Sequence, residues 1–202
     1  MTSEPAYRLY GSVKSRTMRP LWLLEELGVP FEWVEAGPHS EAVRAVSPAG
    51  KIPVLTADGV VLRDSVAIMT FLADRHGAFT HPAGTIARAA QDAATQTILE
   101  TLDAVLWAYA KHSFVLPEDR RVPAVKDSLR WQLDRNAAAI ESVLGDDAFL
   151  LGGLDGGPTV ADILLAHCCA WARGVGVDLP PGLSAHMTRM RARPAFRRAA
   201  VR

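Results

Sequence analysis

The sequence predicts an α/β domain at the N-terminus followed by an all-helical domain. Up to about residue 78, short strand-like segments alternate with helical patterns. Beyond residue 85, every long segment has the apolar spacing of a helix, and no further strand signal occurs. The expected division is therefore 1–78 and 85–202, with the Gly- and Pro-containing residues between them as a linker.

The first strand is predicted at 7–10, where apolar residues alternate up to Gly11. A helix follows over 15–27 with its apolar residues on one stripe, and Gly28 is the expected C-terminal residue. Pro20 is favoured in the first turn of a helix, so this helix either begins later than its pattern suggests or bends there.

The rest of the first domain closes with a hairpin rather than a further parallel strand. In order, its elements are a strand at 31–34, a weak helix at 40–46, strands at 53–55 and 60–62, and a helix at 64–75. Asp58-Gly59 between the last two strands is a hairpin signal. This order is thioredoxin-like, whereas a doubly wound nucleotide-binding domain would continue with parallel strands. No G-x-G-x-x-G follows the first strand, which also disfavours a dinucleotide site.

Three main helices are predicted in the second domain. The first covers 85–112, with one apolar stripe that includes Tyr109, and the second covers 122–144. The third starts at Thr159, which forms a capping box with Asp162 ahead of an apolar run. Shorter helices follow, broken at Pro180-Pro181 and Pro194.

Composition excludes several classes of partner. Lys plus Arg and Asp plus Glu are both 22, so no net charge steers the chain to nucleic acid or an anionic membrane. The arginines that cluster late in the chain are interpreted as a solvated helix face; they are Arg189, Arg191, Arg193, Arg197, Arg198 and Arg202. Residues 1–6 have no signal-peptide pattern, and no apolar run is long enough to span a membrane.

Cysteine usage indicates a reducing compartment. Cys168 and Cys169 are adjacent on a predicted helix, where neighbouring side chains diverge and rarely bridge. No C-x-x-C pair occurs, so the protein's own thiols form neither a redox nor a zinc motif. Both are predicted to be buried core residues of a cytoplasmic protein.

Three short stretches stand where this kind of α/β domain exposes a ligand face. The turn at 11–16 opens the first helix, where a hydroxyl can donate to a thiolate or Ser15 can act as the N-cap alone. In Lys51-Ile52-Pro53, a cis bond before Pro53 would turn the backbone of Ile52 towards an extended peptide. Asp64-Ser65 at a helix N-terminus can hold an amino-acid head group, or can simply cap the helix.

Together these stretches resemble the glutathione S-transferase superfamily of the serine type. The resemblance covers essentially the whole chain and is most specific in residues 47–55 (SPAGKIPVL) and 64–68 (DSVAI). It implies a thiolate-stabilising role for Ser15, which lies four residues before Arg19, with Ser12 and Arg16 as further candidates. It also implies that Lys51 contacts a glutathione carboxylate and that Ile52 pairs with the cysteinyl unit.

The same resemblance implies the remaining parts of the site. Pro53 matches the family's cis-proline, and Asp64 with Ser65 matches the clamp for the γ-glutamyl group. Asp64 stands where the family usually has Glu, and no Tyr or Cys occupies the active-site turn. The pocket for the electrophile is expected from the first long helix of the second domain, with three candidates by position: Tyr109, His112 and Phe114.

Three further expectations accompany these candidates. Tyr109 lies on the apolar stripe, so core packing is favoured for it, and His112 is either a pocket acid or a cation at the helix end. Trp107 lies off the stripe and is expected to face the pocket or a subunit interface. A two-fold homodimer is expected, because it is the most common symmetric assembly.

The function implied is a cytoplasmic detoxifying transferase. Glutathione is the co-substrate, no metal is needed, and the thiolate attacks a small hydrophobic electrophile. Other glutathione-dependent activities share the same clamp, namely disulfide reduction, dehalogenation and isomerisation. A binding protein without catalysis on the same scaffold is the alternative from another class.

Overall fold

The computed structural model describes residues 6–144 and 147–202. Residues 1–5 lie outside the described residues. They are most of the N-terminal stretch, 1–6, in which the sequence analysis found no signal-peptide pattern. The described chain forms two compact units: one up to Thr80 together with Ala192–Arg202, the other His81–Arg191. In the two described stretches, no helix has the length and apolar character that crossing a bilayer requires.

The first unit has the predicted β-α-β-α-β-β-α order. Its elements are β1 (Tyr7–Gly11), α1 (Met18–Leu27), β2 (Glu32–Glu35), α2 (Glu41–Val46), β3 (Val54–Ala57), β4 (Val60–Arg63) and α3 (Ser65–His76). The strand order is β2-β1-β3-β4, with β1 parallel to β2 and antiparallel to β3. This is the thioredoxin-like arrangement, so the predicted fold class of the domain is confirmed.

The predicted hairpin joins β3 and β4 through a two-residue turn. Ala57 pairs with Val60, and the two residues between them, Asp58 and Gly59, have φ of 50° and 74°. Positive φ at both turn residues matches the twist of the flanking strands, which is why Asp-Gly is favoured there. One face of the sheet, including Tyr10, packs on α2.

Helix α1 begins later than the apolar pattern suggests. Its first residue is Met18, so Pro20 lies in the first turn, where its missing N–H costs no helical hydrogen bond. The chain before it is a run of tight turns over 12–17. At the other end, Gly28 adopts the left-handed conformation, and its N–H binds the carbonyl of Leu24, as predicted.

The second unit is all helical. Its helices are α4 (Ile86–Ile98), α5 (Ala104–Ala110), α6 (Val125–Leu144), α7 (Val160–Gly174) and α8 (Pro181–Arg191). Wider π-helical turns at Leu99–Asp103 and Lys111–Val115 flank α5, and short 3₁₀ turns occur at Glu118–Arg120 and Leu150–Gly152. The helix predicted at 85–112 is therefore one helical run with two wide turns in it, extending to Val115.

The capping box at the start of α7 is confirmed. The Thr159 N–H donates to Asp162 Oδ2 at 2.8 Å, and both residues are buried. The other carboxylate oxygen, Oδ1, accepts from the Leu150 N–H at 2.8 Å and lies 3.0 Å from Nε2 of buried His186. One carboxylate thus connects the turn before α7, α7 itself and α8.

The end of the chain departs from the expected division at 85–202. Residues 192–202, which include α9 (Pro194–Ala200), belong to the first unit because α9 packs on α1. Phe196 meets the Trp22 ring edge to face at 4.8 Å. Of the late arginines interpreted as a solvated face, Arg198 and Arg202 are exposed and Arg193 is half-buried. These three also form ion pairs with Glu25 and Glu26 of α1, which the sequence analysis did not predict.

Candidate active site

The segments that carry the predicted site residues meet at one edge of the sheet. β3 begins at Val54, which pairs with Tyr10 near the end of β1. The last residue of β4, Arg63, pairs with the same Val54. The turn after β1, the residues before β3 and the start of α3 therefore lie side by side. They hold Ser12, Ser15 and Arg16; Lys51, Ile52 and Pro53; and Asp64 and Ser65.

Ser15 sits half-buried in the turn before α1, with its hydroxyl held from several sides. Its Oγ lies 2.7 Å from the Ser12 carbonyl oxygen and 2.9 Å from Thr17 Oγ1, and it accepts from the Thr17 N–H at 3.1 Å. A hydroxyl has one hydrogen, so it can donate to only one acceptor at a time. If the Thr17 hydroxyl donates to Ser15 Oγ, the Ser15 hydroxyl hydrogen points to the Ser12 carbonyl. That hydrogen can then turn from the carbonyl to a bound ligand.

Thr17 is fully buried and holds this turn against the end of β1. A Cβ at position 11 would collide with the Thr17 side chain, which explains the glycine at the end of the strand. The first N–H groups of α1 do not remain free as expected: Met18 donates to the Ser15 carbonyl and Arg19 to that of Arg16. The N–H groups of Met18 and Arg19 are therefore not available to a ligand, whereas the hydroxyl groups of this turn are candidate donors.

Ser12 and Arg16 lie on either side of Ser15. Ser12 is half-buried, and its Oγ accepts from the Lys14 N–H at 3.4 Å. For its hydroxyl hydrogen, residues 6–144 and 147–202 provide no acceptor, so Ser12 also has a donor to offer. Arg16 is half-buried as well.

The peptide bond between Ile52 and Pro53 is cis, as the resemblance implied. Pro53 is buried, Ile52 is half-buried and Lys51 is exposed. No hydrogen bond within the described parts of the chain uses the backbone N–H or C=O of Ile52. These groups are therefore available to pair with an extended ligand beside the sheet.

Asp64 and Ser65 open α3 in two different ways. Asp64 has φ of 72°, and its Oδ1 accepts from the N–H groups of Val66 and Ala67 at 2.9 and 3.0 Å. It therefore caps the helix and uses two of the N–H groups expected to face a ligand carboxylate. Because Asp64 is exposed, its second oxygen remains available to an ammonium group.

Ser65 is 3% exposed, and its Oγ accepts from Nη1 of Arg19 at 3.1 Å. Since that bond fills an acceptor position, the hydrogen of the Ser65 hydroxyl is directed to another partner. Arg19 is itself fully buried, so a guanidinium group lies directly behind Ser65. In the sequence analysis Arg19 served only to locate Ser15 by its spacing. A charged residue beside Pro20, at the start of an otherwise apolar helix, was the signal for a buried arginine.

The three pocket candidates lie in the second unit and differ in environment. Tyr109 is half-buried, and Arg130 donates to its Oη at 3.1 Å, so the favoured assignment to the core is not met. His112 is half-buried, with its Nδ1 accepting from the Val122 N–H at 3.2 Å. Phe114 is 69% exposed, and Trp107 is 38% exposed.

Two family profiles match the chain. Residues 9–81 match the glutathione S-transferase N-terminal domain, and residues 123–198 match the C-terminal domain. The chain belongs to the glutathione S-transferase family.

Several relatives of this chain align over nearly its full length. Protein LigF of Sphingobium is 26% identical over 91% of this chain and 88% of LigF. Hematopoietic prostaglandin D synthase of Gallus gallus is 26% identical over 95% and 94% of the two chains. The theta class glutathione S-transferase of Xanthomonas axonopodis pv. citri, solved with glutathione bound, superposes with a TM-score of 0.80 at 27% identity, covering 98% of each chain.

The two cysteines of the chain lie away from water in α7. Cys168 and Cys169 are fully buried, as predicted. Burial raises the pKa of the Cys169 thiol, and the neighbouring Cys168 thiol adds to the rise. A thiol held in its neutral form is a poor nucleophile.

Proposed function

We propose that this glutathione transferase conjugates the glutathione thiolate to small hydrophobic electrophiles. The observation that carries the proposal is the meeting of the three segments at one sheet edge, with the Ser65 hydroxyl oriented by a buried arginine. The Xanthomonas relative was solved with glutathione bound, which supports the same ligand here.

Each part of the tripeptide has a matching group. The Ser65 hydroxyl donates to the γ-glutamyl carboxylate, with the Arg19 charge behind it, and the free oxygen of Asp64 takes the ammonium. The backbone of Ile52 pairs with the cysteinyl unit as an added strand would. The exposed ammonium of Lys51 meets the glycyl carboxylate.

The turn before α1 then keeps the sulfur ionised. A free thiol titrates near 8.5, and lowering its pKa by about two units requires about 2.7 kcal/mol. A hydrogen bond to a charged group contributes about 1.5–3 kcal/mol, so one hydroxyl is sufficient. We assign that hydroxyl to Ser15, with Ser12 and Arg16 as the alternatives from the same turn.

The protein's contribution to the reaction is positioning and anion stabilisation, because glutathione brings its own nucleophile. The thiolate attacks an electrophilic carbon, a carbon–sulfur bond forms, and the leaving group departs with the electron pair of the broken bond. Residues of the second unit, with Tyr109, His112 and Phe114 as candidates, bind the electrophile.

A second candidate is the cleavage of ethers by the same thiolate. One relative, LigF, is a beta-etherase by name, and it aligns over 91% of this chain. Displacement of an aryloxide differs from displacement of a halide only in the leaving group. Disulfide reduction, dehalogenation and isomerisation would use the same clamp, whereas a non-catalytic binding protein would keep the architecture alone.

Thermal unfolding with and without glutathione tests binding, and turnover tests catalysis. Ligand at a hundred times its Kd should stabilise the protein by about 2.7 kcal/mol. We expect this stabilisation together with turnover of a chloro-dinitrobenzene. Stabilisation without turnover of any electrophile would leave a binding protein, and no stabilisation at millimolar glutathione would refute the proposal.

We further propose a cytoplasmic homodimer, the common assembly of the family. A closed two-fold pair is the simplest symmetric oligomer. Light scattering on a size-exclusion column should give twice the 21.8 kDa of one chain, and a mass of one chain would contradict it.

A further inference from the structure

Thr17 stands at the N-cap position of α1, but its hydroxyl does not cap the helix. A threonine at this position ordinarily accepts a hydrogen bond from the N–H of the second or third helical residue. The backbone of Thr17 is already helical, with φ of −62° and ψ of −26°, and its side chain makes no capping bond. The hydroxyl therefore has a different partner.

That partner is Ser15. Thr17 is fully buried, and its Oγ1 lies 2.9 Å from Ser15 Oγ. Across residues 6–144 and 147–202, the Thr17 hydroxyl has no second hydrogen bond partner. Because a buried hydroxyl hydrogen without an acceptor is costly, this hydrogen points to Ser15, and Thr17 is the donor of the bond.

Both acceptor positions of Ser15 Oγ are then filled. One receives the Thr17 O–H, and the other receives the Thr17 N–H at 3.1 Å. A hydroxyl oxygen has two lone pairs, so Ser15 keeps only its own hydrogen for a further partner. Within the turn, that hydrogen goes to the Ser12 carbonyl, 2.7 Å from Ser15 Oγ. Hydrogen bonds received by an oxygen also polarise its O–H, which makes Ser15 a stronger donor.

A hydroxyl that can only donate distinguishes between the two protonation states of a sulfur. A thiolate carries a charge and accepts the hydrogen bond, whereas a neutral thiol is a weak acceptor. The filled oxygen of Ser15 cannot take up the thiol proton either, so that proton leaves to water when the sulfur ionises. Ser15 therefore stabilises the ionised form without acting as its base.

We infer that Thr17 is a positioning residue, which makes Ser15 a dedicated donor to the ionised sulfur of glutathione. This role rests on the proposed function, in which Ser15 stabilises the thiolate. The preference for thiolate over thiol is then set by a fully buried side chain that acts on the ligand only through Ser15.

Two substitutions separate the hydroxyl of Thr17 from its packing. Thr17→Val keeps the shape without the hydroxyl, and should raise the pKa of the bound glutathione thiol by about half a unit to one unit, the effect of one neutral hydrogen bond. Thr17→Ser keeps the hydroxyl and loses a methyl group, so it should lower the thermal unfolding temperature and leave this pKa unchanged. The pKa is measured from the ultraviolet absorbance of the thiolate.

Thr95→Val is the matched control, because Thr95 is also buried and its hydroxyl donates to the Gln91 carbonyl within α4. It should leave the thiol pKa unchanged. In a Ser15→Ala background, Thr17→Val should have no further effect on the pKa, since the group through which Thr17 acts is gone. An unchanged pKa with Thr17→Val, or an equal rise with Thr17→Ser, would overturn the inference.

A ligand that cannot ionise provides a second control. S-methylglutathione has the same tripeptide backbone but a neutral thioether sulfur, which is a weak acceptor. At about pH 9, where the glutathione thiol is ionised, Thr17→Val should raise the Kd of glutathione about 3- to 10-fold and that of S-methylglutathione less than about 2-fold. Equal increases for the two ligands would mean that Thr17 only shapes the turn, and would refute its role.

Neutron diffraction from deuterated crystals of the protein without glutathione separates this inference from the proposed function. The deuterium on Thr17 Oγ1 should point to Ser15 Oγ, and that on Ser15 should point to the Ser12 carbonyl. Any other direction for the Thr17 deuterium would overturn the inference, whether or not glutathione binds. If the deuterium points to Ser15 and glutathione does not bind, conjugation is refuted, whereas Thr17 as the donor to Ser15 is supported.

Discussion

At the scale of single residues, the site depends on where a few hydroxyl hydrogens point. Ser15 and Ser12 share one turn, but their surroundings differ. Ser15 accepts from the Thr17 N–H and lies against the Ser12 carbonyl, whereas the Ser12 hydroxyl accepts only from Lys14. The hydrogen bonds that fix the Ser15 hydroxyl favour Ser15 over Ser12 as the residue that stabilises a thiolate, because a fixed donor loses less entropy when the ligand binds.

Replacing Ser15 with Ala should therefore raise the pKa of the glutathione thiol on the enzyme by about one to two units, since a charge-assisted hydrogen bond of about 1.5–3 kcal/mol is lost. The pKa is read from the ultraviolet absorbance of the thiolate in the binary complex. Ser12→Ala is the matched control from the same turn and should leave the pKa unchanged. A rise with Ser12→Ala alone would transfer the role to Ser12.

Ser65 and the buried Arg19 that donates to its hydroxyl should have coupled effects on glutathione binding. Ser65→Ala removes the donor proposed for the γ-glutamyl carboxylate and should raise KM for glutathione about 5- to 20-fold, as loss of a hydrogen bond to a charged group does. Arg19→Lys keeps the buried charge but not the geometry of the 3.1 Å bond, and should raise KM about 3-fold.

A double-mutant cycle tests that coupling. In the Ser65→Ala background, Arg19→Lys should have no further effect on KM, because the hydroxyl through which Arg19 acts is gone. Steady-state kinetics of the four proteins, with thermal unfolding to verify folding, decide the matter. Additive effects of the two substitutions on log KM would show that Arg19 does not orient Ser65.

At the scale of elements, one buried carboxylate organises the start of α7. Asp162 receives N–H groups from Leu150 and Thr159 and contacts His186, whose Nδ1 is buried and has no partner within the described residues. Buried polar groups are costly when they lose their partners. Any change at Asp162 therefore affects three segments at once.

Asp162→Asn keeps the side-chain volume but turns an NH2 towards donors, so we expect a loss of about 2–4 kcal/mol in the free energy of unfolding. Urea denaturation measures it. Asp134→Asn, on the exposed side of α6, is the control and should change stability by less than about 0.5 kcal/mol. Equal effects of the two substitutions would mean that the capping box adds nothing to stability.

The elements also show what a sequence can and cannot predict. The hairpin at Asp58-Gly59, the end of α1 at Gly28 and the capping box at Thr159 were predictable because each depends on local backbone chemistry. The wide turn at Leu99–Asp103 was not, because the apolar residues there keep ordinary helical spacing. After this turn Leu106 and Ala110 are buried, whereas Tyr109 is half-buried and meets Lys126 of α6.

The site itself was predictable to the extent that it follows from motifs. Residues 47–55 and 64–68 carried the resemblance, and strand register brings those segments together. Which hydroxyl hydrogen is available, and that Asp64 consumes N–H groups as a cap, depend on distances that no motif encodes. The hydrogen bond from Arg19 to Ser65 links positions 46 residues apart, and local sequence patterns do not predict such long-range pairs.

At the scale of the whole chain, the first unit is completed by residues from the far end of the sequence. Arg198 and Arg202 both bind the carboxylate of Glu25, and their closest contacts are 2.8 and 2.6 Å. Burial alone would raise the pKa of Glu25, but the hydrogen bonds and charges of the two arginines outweigh it, so the pKa is lowered. A lowered pKa means that folding favours the ionised form.

Glu25→Gln should therefore destabilise the protein by about 1–2 kcal/mol at pH 7, since its carboxyl is only 7% exposed. That contribution is complete above the unfolded-state pKa of about 4.3 and declines as pH falls through the lower folded-state value. Urea unfolding at pH 7 and about pH 3.5 should thus show the native and variant proteins converging in acid. Glu32→Gln, which breaks the exposed pair with Arg8, should cost less than about 0.5 kcal/mol. A Glu25→Gln penalty that does not shrink in acid would show that its ion pairs are not the cause.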